Sequence, residues 1–159
     1  MSKSPIRKLC EKKLGTKIKP GDQLKYENSG GVFSSIPNSY TYHPTIYIGD
    51  DEVVHATTHK NGKTGEIKRN ELRTAKLIEN AGQNNANNNS DEIVMRACKS
   101  IGKTYNYDLT NNNCQHFIDY CFDNGKTNFF VKLSGEGMES GSGYNSGNND
   151  DFSSGCNIF

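Results

Sequence analysis

Tyr42-His43-Pro44-Thr45-Ile46-Tyr47-Ile48, then Gly49-Asp50-Asp51, then Glu52-Val53-Val54-His55-Ala56-Thr57, is the stretch on which the fold turns. Two runs rich in β-branched and aromatic residues, joined by a Gly/Asp turn, specify a β-hairpin. Side chains alternate across a strand, so His43, Thr45 and Tyr47 share one face while Ile46 and Ile48 share the other. The hairpin returns His55 to the level of His43, which predicts two imidazoles side by side on neighbouring strands. A lone strand histidine is usually structural, but two brought together in a chain with four histidines point to a base and its partner. Pro44 has no N–H, so its strand is expected to be an edge or to begin there.

Downstream, Asn111-Asn112-Asn113-Cys114-Gln115-His116-Phe117-Ile118 places a cysteine at the first turn of a predicted helix. Cys114, Phe117, Ile118 and Cys121 recur at the spacing of an amphipathic helix, with Asn113 as the N-cap and Gly125 as the stop. A thiol at a helix N-terminus faces unpaired N–H groups and the positive end of the helix dipole, which favour thiolate and predict a lowered pKa. His116, two residues on, points away from the thiol and reads as structural.

Composition narrows the class. A chain of 159 residues suits one domain with a real core. The 32% hydrophobic content and mean hydropathy of -0.82 are low, which predicts that part of the chain does not pack. Nineteen Lys and Arg against 18 Asp and Glu leave a net charge of +1, so nothing points to nucleic acid. No apolar run reaches a membrane span, and Met1-Ser2-Lys3-Ser4-Pro5 lacks a signal-peptide core, so a cytoplasmic location is expected. Five cysteines without a secretory signal argue against a disulfide framework. Cys98 and Cys121 read as small buried hydrophobes on helical faces. Cys114-x-His116-x4-Cys121 lacks the paired spacings that bind zinc, so no metal is expected, and no cofactor.

Around these two stretches the remaining elements fall into order. A basic helix is predicted from Pro5 to Leu14 with its cations as a solvated face, then a turn at Lys19-Pro20-Gly21-Asp22 and a strand from Gln23 to Glu27. The loop from Asn28 to Tyr40 reads either as a plain surface loop or as a lid over substrate. Gly65 to Asn70 is predicted as a strand, and Glu71 to Glu79 as strand or helix. The Asn-rich tract 83–90 reads as a flexible insertion. Ser90 and Asp91 supply the cap and first turn of a helix with Ile93, Val94, Ala97, Cys98 and Ile101 on its apolar face, ended by Gly102. A short connection through Tyr105 and Tyr107 leads to the Cys114 helix, and a last strand is predicted from Phe129 to Leu133.

These residues together carry a resemblance. His43 and, twelve residues on, the His55 that closes Tyr-x-Gly-Asp-x-x-Val-Val-His, followed by Arg96-Ala97-x-x-x-Ile101-Gly102, Tyr107-x-Leu109-Thr110 and Asn113-Cys114-x-His116-Phe117, resemble the lecithin:retinol acyltransferase-like family, and within it the H-Ras-like suppressor phospholipase/acyltransferases. The resemblance spans about residues 18–133, leaving 1–17 as an N-terminal segment and 134–159 as a tail. It implies an α+β fold of NlpC/P60 type, a circularly permuted papain-like domain whose antiparallel sheet carries a packed helix with the nucleophile. It also implies the roles of Cys114 as nucleophile, His43 as general base and His55 as the residue that orients the base. Backbone N–H at Cys114, with Asn112 and Asn113 as further donors, would stabilise an oxyanion. The sequence departs from the family at Pro44, where a Trp is common, and at Gln115, where a Glu is common. The pocket wall beside His43 is therefore expected to differ.

The activity implied is thiol-dependent acyl hydrolysis or transfer on a glycerophospholipid through an acyl-cysteine thioester, by a monomer. Two other classes use the same features: an NlpC/P60 cysteine peptidase or amidase, and a lipid-anchored interaction protein without turnover. From Ser134 to Gly155 the tail is Gly, Ser, Asn and acid, expected to be disordered. It ends Cys156-Asn157-Ile158-Phe159, a CaaX-like pattern in which Phe159 favours geranylgeranylation of Cys156 and reversible attachment to a membrane surface.

Overall fold

The computed structural model describes residues 3–27, 42–83, 86 and 89–130. In chain order these form α1 (Pro5–Leu14), β1 (Gln23–Glu27), β2 (Tyr42–Gly49), β3 (Glu52–Thr58), β4 (Thr64–Glu71), β5 (Leu77–Gly82), α2 (Ser90–Ser100), β6 (Thr104–Asn106) and α3 (Cys114–Phe122). The strands make one sheet in the order β5-β1-β2-β3-β4-β6, every neighbouring pair antiparallel. The class is α+β, with helices on both faces of the sheet. The predicted loop 28–40, the tail 134–159 and Cys156 lie outside the described residues.

The hairpin forms where its alternation predicts. Ile46 pairs with Val54 and Tyr47 with Val53, and the reversal is carried by positive φ at Asp50 (50°) and Asp51 (59°), the backbone a tight hairpin turn needs. β2 lies inside the sheet, yet Pro44 is tolerated because it sits near the strand's start, where the register against β3 has not begun. Helix caps follow side-chain chemistry. Ser4 accepts from Arg7 N at 3.1 Å, with Pro5 at the first helical position and Gly15 at φ 76° beyond the end. In α2 the cap is Asn89, one residue before the predicted Ser90. Its Oδ1 accepts from Glu92 N at 2.9 Å, and its N–H donates to Glu92 Oε1 at 3.3 Å, a capping box that Ser90 could not build with this spacing.

Elsewhere the chain departs from expectation. The segment left open as strand or helix resolves into the end of β4, a turn, and β5. The presumed connection after α2 contains β6, whose Tyr105 pairs with Gly65 of β4. Gly65 is required there, because a Cβ would meet the Thr57 carbonyl and stand 2.6 Å from the Tyr105 ring. Phe129 and Phe130 are not strand residues; Phe129 is instead fully buried, its ring 4.5 Å from that of Tyr105 and 5.6 Å from that of Phe117. Residues 131–133 lie outside the described part. Of the Asn-rich tract, residues 84, 85, 87 and 88 lie outside the described part; at its ends Gln83 Nε2 donates to Asp22 Oδ1 at 2.9 Å, and Ser90 Oγ donates to Gln83 Oε1 at 3.0 Å.

Two apolar clusters flank the sheet. On one face Ile46, Ile48, Val54, Ala56 and Ile67 pack with Ile93, Val94, Ala97 and Cys98 of α2 and with Cys114, Phe117, Ile118 and Cys121 of α3. On the other, Leu24, Tyr47, Val53, Leu72 and Leu77 pack with Ile18 and with Cys10 of α1. The basic helix is thus more than a solvated face: Cys10 is fully buried, Arg7 lies 5.7 Å over the Tyr47 ring, and its guanidinium donates to the Ile18 carbonyl at 2.5 Å.

Candidate active site

β2 and β3 bring the two hairpin histidines into contact. Nε2 of His43 and Nδ1 of His55 are 2.7 Å apart, and the rings meet edge-on with an interplanar angle of 86°. The second ring nitrogen of His55, Nε2, lies 2.5 Å from Oδ1 of Asn70 on β4. Three residues on three adjacent strands therefore form one hydrogen-bonded line. Burial, and after it the neighbouring His55, pushes the His43 imidazole down to about 3. His55 is also lowered by burial, against the upward pull of its bond to Asn70 and with the charges of Lys68 and Arg73 adding to the depression. Both rings are neutral near pH 7, the state in which an imidazole can accept a proton.

Cys114 stands where the sequence places it, at the first position of α3. Asn113 is the N-cap, its Oδ1 accepting from Gln115 N at 2.9 Å, and the N–H of Asn113 donates to His116 Nδ1 at 3.0 Å. His116 thus completes a capping box, a structural role. The expected activation of the thiol is not observed. Burial pushes Cys114 up to about 12, outweighing the backbone N–H groups of Cys114 and Gln115, which pull it down. Its exposure is 1%. Desolvation of a thiolate in an apolar setting costs more than one helix end returns.

The two other oxyanion candidates are engaged in holding the fold. Asn112 Nδ2 donates to the carbonyls of Asn106 at 2.7 Å and Phe129 at 3.0 Å, and Asn113 Nδ2 donates to that of Leu109 at 2.7 Å. The Cys114 backbone remains the donor of that set placed at the helix start.

The structure brings His43 and His55 together, and among the described residues neither is hydrogen-bonded to Cys114. By strand alternation His43 and His55 are in phase with Tyr47 and Val53, which pack on the α1 side. They are out of phase with Ile46, Ile48, Val54 and Ala56, which pack against Cys114. Strand phase thus sets the imidazoles apart from the residues that pack against Cys114, and among the described residues no hydrogen bond joins imidazole and thiol. On the thiol's face, Tyr42 Oη donates to Gln115 Oε1 at 3.2 Å, linking the start of β2 to the start of α3. A groove of about 590 Å³ opens beside Gln115, lined by Lys25, Glu79, Asp119 and Asp123 among others.

Asn70 was the residue that sequence reading missed. Its signal was its place in the β-rich run that pairs next to β3, in phase with His55. Among the described residues no cluster of three or more His, Cys, Asp or Glu is placed to hold a metal ion, and no helix is long and apolar enough to cross a membrane. The family model described as lecithin retinol acyltransferase matches residues 16–127, a span that holds His43, His55, Asn70 and Cys114. No curated protein matches the chain.

Proposed function

Since the chain belongs to the lecithin retinol acyltransferase family, we propose that it is a thiol-dependent acyl-transfer enzyme with Cys114 as nucleophile, His43 as general base and His55 as the residue that holds the base. The observation that carries this reading is the 2.7 Å contact between the imidazoles: a nucleophile's base works best when a second polar group fixes its tautomer and orientation. A glycerophospholipid is the proposed acyl donor, on the resemblance to the phospholipase/acyltransferase branch.

The steps balance as follows. His43 takes the thiol proton as Cys114 Sγ adds to the ester carbonyl, and the oxyanion is held by backbone N–H at the start of α3. Collapse breaks the ester C–O bond, and the departing lysophospholipid oxygen takes the proton back from His43. Water, an amine or a lysolipid hydroxyl then attacks the thioester with His43 again accepting a proton, and Cys114 is released as thiol. Contact between Cys114 and His43 during turnover is the step this proposal adds to the described arrangement.

The buried, protonated Cys114 thiol, with no hydrogen bond to an imidazole among the described residues, favours a second reading, a family member that binds without turning over. Phosphatidylcholine vesicles separate the two. The enzyme reading predicts lysolipid and fatty acid release by the full-length protein, lost by roughly 10³-fold or more in Cys114→Ala and by about 100-fold or more in His43→Gln. Equal release by wild type and Cys114→Ala, or none from either, would sink it.

A further inference from the structure

Asn70 ends the line of hydrogen bonds, and the end of such a line fixes its direction. A neutral imidazole has one N–H and one lone pair. With Asn70 Oδ1 facing Nε2 of His55 at 2.5 Å, that nitrogen must carry the proton. Nδ1 of His55 is then the acceptor, and across the 2.7 Å contact Nε2 of His43 must be the donor. The lone pair of His43 is left on Nδ1. Turned over, the Asn70 amide would donate to His55 instead, every bond in the line would reverse, and Nδ1 of His43 would carry a proton and could accept none.

We propose that Asn70 is a positioning residue that sets the polarity of the imidazole pair and keeps Nδ1 of His43 as the proton-accepting atom. This deepens the reading of His43 as a base and rests on it. β4 suits the task. Its register places Asn70 opposite Val53 and Lys68 opposite His55, so the short Asn side chain reaches His55 diagonally from a residue held in the sheet. Lys68 and Arg73, whose charges act on His55, are donors only, so neither can replace the acceptor that Asn70 supplies.

The test reads tautomers directly. In full-length protein labelled with ¹⁵N-histidine, at a pH where both rings are neutral, the expected wild-type result is a proton on Nε2 of both His43 and His55 and a bare Nδ1 on each. Asn70→Asp, which can only accept, is expected to keep that pattern. Asn70→Ala is expected to mix the tautomers. If phospholipid turnover is present, kcat in Asn70→Ala should fall roughly tenfold with KM unchanged and recover in Asn70→Asp, in line with other partners that fix an imidazole's tautomer. A proton on Nδ1 of His43 in the wild type, or identical tautomers in wild type and Asn70→Ala, overturns the inference. The tautomer result stands apart from activity: turnover with unchanged tautomers in Asn70→Ala removes only the role of Asn70, whereas the expected tautomers with no turnover remove only the enzyme reading.

Discussion

Cys114 is pulled two ways. The start of α3 offers it backbone N–H groups, and the apolar core takes away the water a thiolate needs; burial wins, and the thiol is held up at about 12. The alkylation rate follows the thiolate fraction, so at neutral pH Cys114 should react with iodoacetamide at least about 100-fold more slowly than the same cysteine in urea. The sign of the pH dependence is also set: because the pKa lies far above neutrality, the rate should climb about tenfold per pH unit from pH 7 to 9. Peptide-mapped labelling kinetics check both. Fast labelling that levels off near neutral pH would mean that the thiol is already paired with an imidazole in the resting protein. At this scale much of the site was legible. The helix start, its Asn113 cap and the His43–His55 pairing all follow from local spacing and alternation. The protonation of the thiol does not, because it depends on burial by residues far away in sequence.

Elements differ in how much of themselves they display. The β2–β3 hairpin and α3 announce their periods over seven residues or more, whereas β6 has three residues, too few for any period. Its place is set from outside, by the gap at Gly65 into which Tyr105 fits, its hydroxyl donating to the Thr57 carbonyl at 2.9 Å. Gly65→Ala should therefore destabilise the fold by about 1–3 kcal/mol through overpacking. Gly62→Ala is a useful contrast: nothing stands within 4 Å of its Cβ position, and its φ of 70° costs only roughly 1 kcal/mol in backbone strain. Urea unfolding of the two variants should rank Gly65 as the more costly. A wild-type midpoint for Gly65→Ala would show that β6 packs differently.

Across the whole molecule, the sheet separates two apolar clusters. Alternation correctly divides His43 and Tyr47 from Ile46 and Ile48, but it does not say which face receives α3. That choice is made by apolar burial: the helix stripe of Cys114, Phe117, Ile118 and Cys121 seeks the face of Ile46, Ile48, Val54 and Ala56, and the thiol, being part of the stripe, goes with it. The signal was present in the sequence, since the cysteine belonged to the apolar stripe and the histidines to the other phase. Acyl transfer through Cys114 is the central claim. It is tested most directly by quenching full-length protein during reaction with phosphatidylcholine and mapping its peptides by mass. The account predicts a hydroxylamine-labile acyl group on the peptide that contains Cys114, absent in Cys114→Ala. Lysolipid appearing in an acid-quenched time course while Cys114 never carries an acyl group would contradict it.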